Sequence, residues 1–190
     1  MKINTAIKYA VKQDRAQFSK FTGWITAKMG MALMAAGLLL APSAAKAADF
    51  SMDDKAFILA AAQGGMTEVK LGELAAQKGL REDVKAFGQM MVKDHTAIND
   101  DLKVLAAKKD VTLPDSLDAK HQGKVDKMTA LTGSDFDDAY IAGMMKGHLK
   151  DAQAFKEESA ATKDVEVKSF VDKSIPVVEA HLQQITAMKK

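Results

Sequence analysis

From Ser51 to Lys189 the apolar residues recur every three to four positions, and β-branched residues never alternate over the length of a strand. That period predicts helices throughout, and no proline lies between Ala48 and Leu113 to interrupt them. Ser51, with Asp54 three residues on, forms a capping-box pair. It predicts a first long helix that runs to Gly79, a glycine placed as a C-cap. A second helix is expected from the stretch Arg81 to Asp83 to about Lys109, with lysines in its last turn. The segment Asp110 to Ser116 reads as a loop and Leu117 to Leu131 as a short helix. Ser134 is then expected to cap a third long helix, Phe136 to about Ser159, with Asp137 at its third position. A fourth should run from Asp164 to Lys189, kinked or bulged at Pro176, which cannot donate a backbone hydrogen bond.

Four long helices of similar length predict a bundle. Roughly 25 residues, with their own short helix, separate the second and third, more than antiparallel neighbours need. The expectation is therefore a crossover that leaves those two helices parallel, as in ferritin-like bundles.

Placing each helix on a wheel of roughly 100° per residue defines its apolar stripe. In the second helix this is Val84, Phe87, Met91, Ile98, Leu102 and Leu105, and His95 falls within it. In the third it is Tyr140, Ile141, Met144 and Phe155, with His148 inside and Asp151 one turn on. In the fourth, His181 falls among Val167, Phe170, Val171, Val178, Ile185 and Met188. The first helix has a weaker stripe of Phe57, Ala61, Leu71 and Ala75, centred on Glu68. Counted from the helix starts, Glu68, His95, His148 and His181 lie within a few residues of the same depth, a spread of a few ångströms at ~1.5 Å per residue. Each is near a helix midpoint, and a midpoint stays a midpoint when a helix is reversed. The four therefore meet in one layer for any up-down order.

Taken singly, a histidine on an apolar face is an ordinary hydrogen-bonded core residue. His–Glu hydrogen bonding can also fix helix register with no metal. Three histidines and a glutamate in one layer point instead to a metal site, whose neutral imidazoles and carboxylate suit Zn²⁺, Cu²⁺, Fe²⁺ or Mn²⁺. Asp151 and Tyr140 are candidate further ligands or supporting acceptors. Met91 and Met144 lie one turn from His95 and His148, and thioether with imidazole favours Cu(I), although methionine also fills irregular cores. His121 reads as a boundary residue of the short helix. The glycines Gly64, Gly65 and Gly72 inside the first helix suggest a close helix approach.

Ahead of the helical region the pattern changes. The apolar run Met29 to Pro42 follows Lys20 and Lys28 and precedes Ala45-Lys46-Ala47, a small-x-small cleavage pattern. It predicts a cleaved Sec-type signal over residues 1–47 and a single exported domain over 48–190, in the periplasm or the outer cell envelope. The run is short for a membrane span. Its basic leader is unusually long, with no twin-arginine pair and no cysteine for a lipid anchor. The whole chain carries a formal net charge of +2. Removing seven basic residues and one acidic residue leaves 20 against 24, a net of −4. That charge offers no footprint for nucleic acid and no polybasic membrane patch. There is no cysteine, hence no disulfide and no thiolate ligand. No nucleophile elbow, phosphate loop or dinucleotide fingerprint occurs, so an enzyme is not the expectation.

The stretches AAAQGGMTEVKLGELAAQKG, VKAFGQMMVKDHTAINDDL, LTGSDFDDAYIAGMMKGH and IPVVEAHL resemble the bacterial domain-of-unknown-function family 4142, from about Asp53 to Ile185. The resemblance implies an exported, all-α, ferritin-like four-helix bundle with a long crossover carrying a short extra helix. The family's pattern falls here on Glu68, His95, His148, Pro176 and His181, and it implies no activity. Members are often called outer membrane proteins, but no barrel-like alternation is present. The Glu-x-x-His pairs of di-iron bundles are absent too, since Val92 and Val178 stand three residues before His95 and His181. The expectation is one transition-metal ion held for sequestration, delivery or structure. Alternatives are an unmetallated structural or interaction module with an unidentified protein partner, and a metal-dependent oxidoreductase acting on peroxide or superoxide.

Overall fold

The computed structural model describes residues 49–189. The expected signal segment, residues 1–47, lies outside the described residues. The helices are α1 (Met52–Lys78), α2 (Glu82–Lys108), α3 (Ala119–Thr129), α4 (Gly133–Ala161) and α5 (Val165–Met188). Among the described residues there is no strand, and no helix is long and apolar enough to cross a membrane.

Local chemistry sets most of the boundaries. The Ser51 hydroxyl accepts from the Asp54 amide at 3.0 Å, and the Asp54 carboxylate accepts from the Ser51 amide at 2.6 Å, which closes the capping box of α1. Gly79 ends that helix, but with φ −53° and not in a left-handed conformation. Its requirement is space, since a Cβ there would sit 2.7 Å from the Ala75 carbonyl oxygen. Helix α3 is shorter than expected because Asp118 caps it, accepting from the His121 amide at 2.8 Å.

At the start of α4 the structure corrects the sequence reading. The N-cap is Thr132, not Ser134, and no side chain caps there. Gly133 has φ +60° and allows the chain to turn in earlier. Asp137 is turned away from its own helix. Its buried carboxylate accepts from the Leu80 amide at 3.0 Å and the Arg81 amide at 2.8 Å, and so caps the start of α2. Replacing Asp137 with alanine would strand both amides, and a loss of about 1–3 kcal/mol is expected in urea denaturation. An Asp137→Ala midpoint equal to the parent's would refute this capping role. Helix α5 includes Pro176 within its span.

The contacts at the helix ends fix the directions. Asp137, near the start of α4, meets the start of α2, where the Arg81 guanidinium donates to the Met188 carbonyl at the end of α5. At the opposite end Lys109, just past α2, pairs with Asp164, the cap of α5, at 2.6 Å. Asp54 at the start of α1 meets Glu158 and Thr162 at the end of α4. Helices α2 and α4 are therefore parallel, and the crossover between them spans the length of the bundle. Gln63 pins the crossover to α1, donating to the Ser116 carbonyl at 2.9 Å and accepting from the Asp118 amide at 3.0 Å.

The Asp54–Glu158 contact makes stability depend on pH. Burial, reinforced by the neighbouring Asp54, pushes the Glu158 carboxyl up to about 7. A raised carboxyl favours its neutral form in the folded state, so its contribution is complete below about 4.5 and is lost as pH rises towards 7. Solvent screening reduces the effect to about 1–2 kcal/mol. Glu158→Gln should flatten the fall in urea midpoint between pH 5 and 8, and a parallel fall in the variant would assign the effect elsewhere.

The core divides in two along the bundle axis. One apolar cluster contains Leu71, Ala75, Phe87, Met91, Phe136, Tyr140, Met144 and Ile185. The other contains Ile58, Ala62, Leu102, Phe155, Val167, Phe170 and Val171. On every long helix the chain between these clusters carries one of the four predicted polar residues.

Candidate metal centre

Glu68 comes from α1, His95 from α2, His148 from α4 and His181 from α5, so each long helix contributes one group to the layer. The three histidines are 3%, 0% and 1% exposed, respectively. Their ring centres form a near-equilateral triangle, 5.5 Å from His95 to His148, 5.2 Å from His95 to His181 and 5.4 Å from His148 to His181. One ring nitrogen of each lies within 4.8 Å of those of the other two.

Each ring is tied at one nitrogen only. His95 Nδ1 lies 3.0 Å from Glu68 Oε2. His148 donates from Nδ1 to the Met144 carbonyl at 3.1 Å, with Glu68 Oε1 3.6 Å away. His181 donates from Nε2 to Asp94 Oδ2 at 3.0 Å. The Met144 carbonyl and the Asp94 carboxylate are acceptors, so they fix the tautomers of His148 and His181 and leave a lone pair on the opposite nitrogen. The far nitrogens of the three rings, His95 Nε2, His148 Nε2 and His181 Nδ1, are buried and have no hydrogen-bond partner. One unsatisfied buried polar atom costs about 1–3 kcal/mol, and three in one layer call for a reason.

The electrostatics favour uncharged rings. Burial, with the neighbouring His148 and His181, lowers His95 to about 3. Burial and His181 lower His148 to about 4. At neutral pH both rings present lone pairs and need lose no proton to bind a cation.

The carboxylates are arranged differently from the expected four-ligand set. Glu68 groups with His148 and Asp151 and not with all three histidines. Burial and the adjacent Asp151 carboxyl raise the Glu68 pKa well above normal, and burial raises that of Asp151 as well. A cavity of about 110 Å³ adjoins Glu68, His95 and Asp151, bounded by Gly64, Asn99 and Phe155. Tyr140 is buried with its hydroxyl unpartnered. Met91 and Met144 pack in the apolar cluster on one side of the layer. His121 sits apart, with Nδ1 2.8 Å from Asp118 Oδ1 in its own helix. The sequence reading missed Asp94. It stands beside His95 in the chain but serves His181, 87 residues away, and no local spacing signals that pairing.

Of the glycines expected to allow a close helix approach, Gly72 does so. A Cβ there would meet the Gly88 carbonyl oxygen at 2.8 Å. Gly65 makes room for the Asn99 side chain, while a Cβ on Gly64 would meet nothing within 4 Å. Close approach is therefore not the reason for Gly64, which borders the cavity.

A family model described as "Domain of unknown function (DUF4142)" matches residues 39–188. The fold is similar to a crystal structure of a DUF305 fragment from Deinococcus radiodurans, with a TM-score of 0.63 over 73% of this chain and 95% of that one. At 8% identity that likeness carries the all-helical fold and nothing about function. A comparison with curated proteins finds no match.

Proposed function

The chain belongs to that family of domains of unknown function, and we propose from the geometry that it binds one transition-metal ion through His95, His148 and His181. The observation that carries the reading is the set of three buried ring nitrogens left without partners in one layer. Imidazole nitrogens suit Zn²⁺, Cu²⁺, Fe²⁺ and Mn²⁺. In this reading Glu68, Asp94 and the Met144 carbonyl hold the rings in orientation, as outer hydrogen-bond partners do for metal-bound histidines. Glu68 and Asp151 are the nearest candidates for a further ligand. Met91 and Met144 serve packing, with a thioether role reserved for Cu(I). The ion would serve sequestration, delivery or structure in an exported protein of the periplasm or cell envelope.

The test is elemental analysis of protein isolated from the envelope fraction without added metal. Close to one equivalent per chain is expected. Sub-stoichiometric metal, with no melting shift on adding Zn²⁺, Cu⁺ or Mn²⁺, would refute the proposal. Such a result would favour an unmetallated interaction module, because the Glu68–His95 contact and the Asp94–His181 hydrogen bond already link α1 to α2 and α2 to α5. Asp94→Ala should leave metal bound but with affinity lowered about 10–100-fold, the usual cost of losing an outer partner. A competition titration with a chromophoric chelator measures this, and an unchanged affinity would remove Asp94 from the site.

A further inference from the structure

Outside the histidine triangle, α1, α3 and α4 enclose a groove of about 490 Å³. Its rim carries Lys124 and Lys127 from α3 and Lys146 and Lys150 from α4, all exposed. Among the described residues none of the four forms a salt bridge, although Lys124 and Lys150 act on Asp151 through space. The helical region of the chain is acidic overall, so four unpaired lysines around one depression are a local reversal of its charge. The carboxyl groups lining the groove are those of Glu68 and Asp151, so ammonium groups outnumber them by two.

A second, independent feature lies at the floor. Tyr140 is 1% exposed and lines the groove, and its hydroxyl has no hydrogen-bond partner. A phenol needs an acceptor when buried, and a ligand oxygen in the groove would supply one. Gly143 and Gly147 on the α4 wall leave the depression free of side chains at these positions. A cationic rim above an unused neutral donor is the donor set that recognises an oxyanion.

We infer that the α1–α3–α4 groove binds a small multivalent oxyanion, a carboxylate or phosphate, held by Lys124, Lys127, Lys146 and Lys150, with the Tyr140 hydroxyl donating to one of its oxygens. The site does not depend on whether the histidine triangle holds an ion. The occupant is of small-molecule size, because the groove is closed at its floor by Glu68, Tyr140 and Asp151.

The test follows backbone amide NMR shifts of the ¹⁵N-labelled protein at constant ionic strength, titrated with inorganic phosphate, with tricarballylate or with chloride. Saturable shifts at His121, Gly143 and Gly147 are expected with one of the two oxyanions and not with chloride. Tighter binding of tricarballylate assigns the site to carboxylates, and tighter binding of phosphate assigns it to phosphates. The double variant Lys124→Gln/Lys150→Gln, which alters exposed residues only, should weaken binding about tenfold or more. Lys163→Gln, away from the groove, should leave it unchanged. Tyr140→Phe should weaken binding severalfold while preserving the fold. Shifts that fail to saturate, that chloride reproduces, or that survive the double lysine substitution would overturn the inference.

Discussion

His148→Ala is expected to abolish stoichiometric metal retention, lowering affinity by more than the 10–100-fold typical of an outer partner. His148 is the fully buried vertex of the triangle, and it alone belongs to both potential ligand groups, the histidine triangle and the Glu68–Asp151 set. Its removal leaves two imidazoles, too few to hold a divalent ion against solvent at ordinary concentrations. The readout is metal content per chain beside the parent, with His121→Ala as a control that should retain the ion. Because His148→Ala also opens a core cavity, a loss of roughly 2–4 kcal/mol is expected in the metal-free protein. Metal content and metal-free stability must therefore be read separately. A folded His148→Ala protein that still copurifies with one equivalent would exclude the histidine triangle. Acid sensitivity offers a check without mutation. Burial depresses His95 and His148 to about 3 and about 4, so protons should compete for these rings only well below the ordinary imidazole range near 6.5. Metal release centred at pH 6.5 would mean that the rings are open to water.

Gly88→Ala is expected to be among the most destabilising single substitutions in the bundle, at about 2–4 kcal/mol net. A Cβ at this position would lie 2.6 Å from the Gly72 carbonyl oxygen, 2.7 Å from the Ala76 amide nitrogen and 2.8 Å from the Ala75 Cβ. Two of these neighbours are backbone atoms of α1 and cannot swing aside, so relief requires α1 and α2 to separate. The gain in helix propensity, about 1 kcal/mol, offsets only part of that strain. Separation of the two helices would also stretch the 3.0 Å contact from Glu68 to His95, so weaker metal binding should accompany the lower stability. Gly64→Ala provides the opposite sign. It has open space around the new methyl and should stabilise α1 by about 0.5–1 kcal/mol. Urea denaturation of the pair decides the matter, and equal midpoints for the two variants would remove close packing at Gly72 and Gly88 as the explanation.

The sequence by itself determined the helices, the bundle, the parallel relation of α2 and α4, and the common height of Glu68, His95, His148 and His181. These follow from a period of 3.6 residues, a capping serine and the length of one connection, all of which are local. Even the meeting of four residues from separate helices was legible, because each stands midway along a helix whatever the helix's direction. Only the tertiary structure decided how the layer is wired. Which nitrogen of each ring stays free depends on which acceptor the neighbouring helix presents, and that depends on helix rotation and axial offset. So Glu68 turned to the Nδ1 side of His95 and joined Asp151, Asp94 went to His181, and Asp137 left its own helix to cap α2. Gly88 became indispensable only where its backbone meets that of Gly72. Each of these pairs joins different helices, and helical periodicity fixes where a side chain lies on its own helix but not what the next helix brings against it.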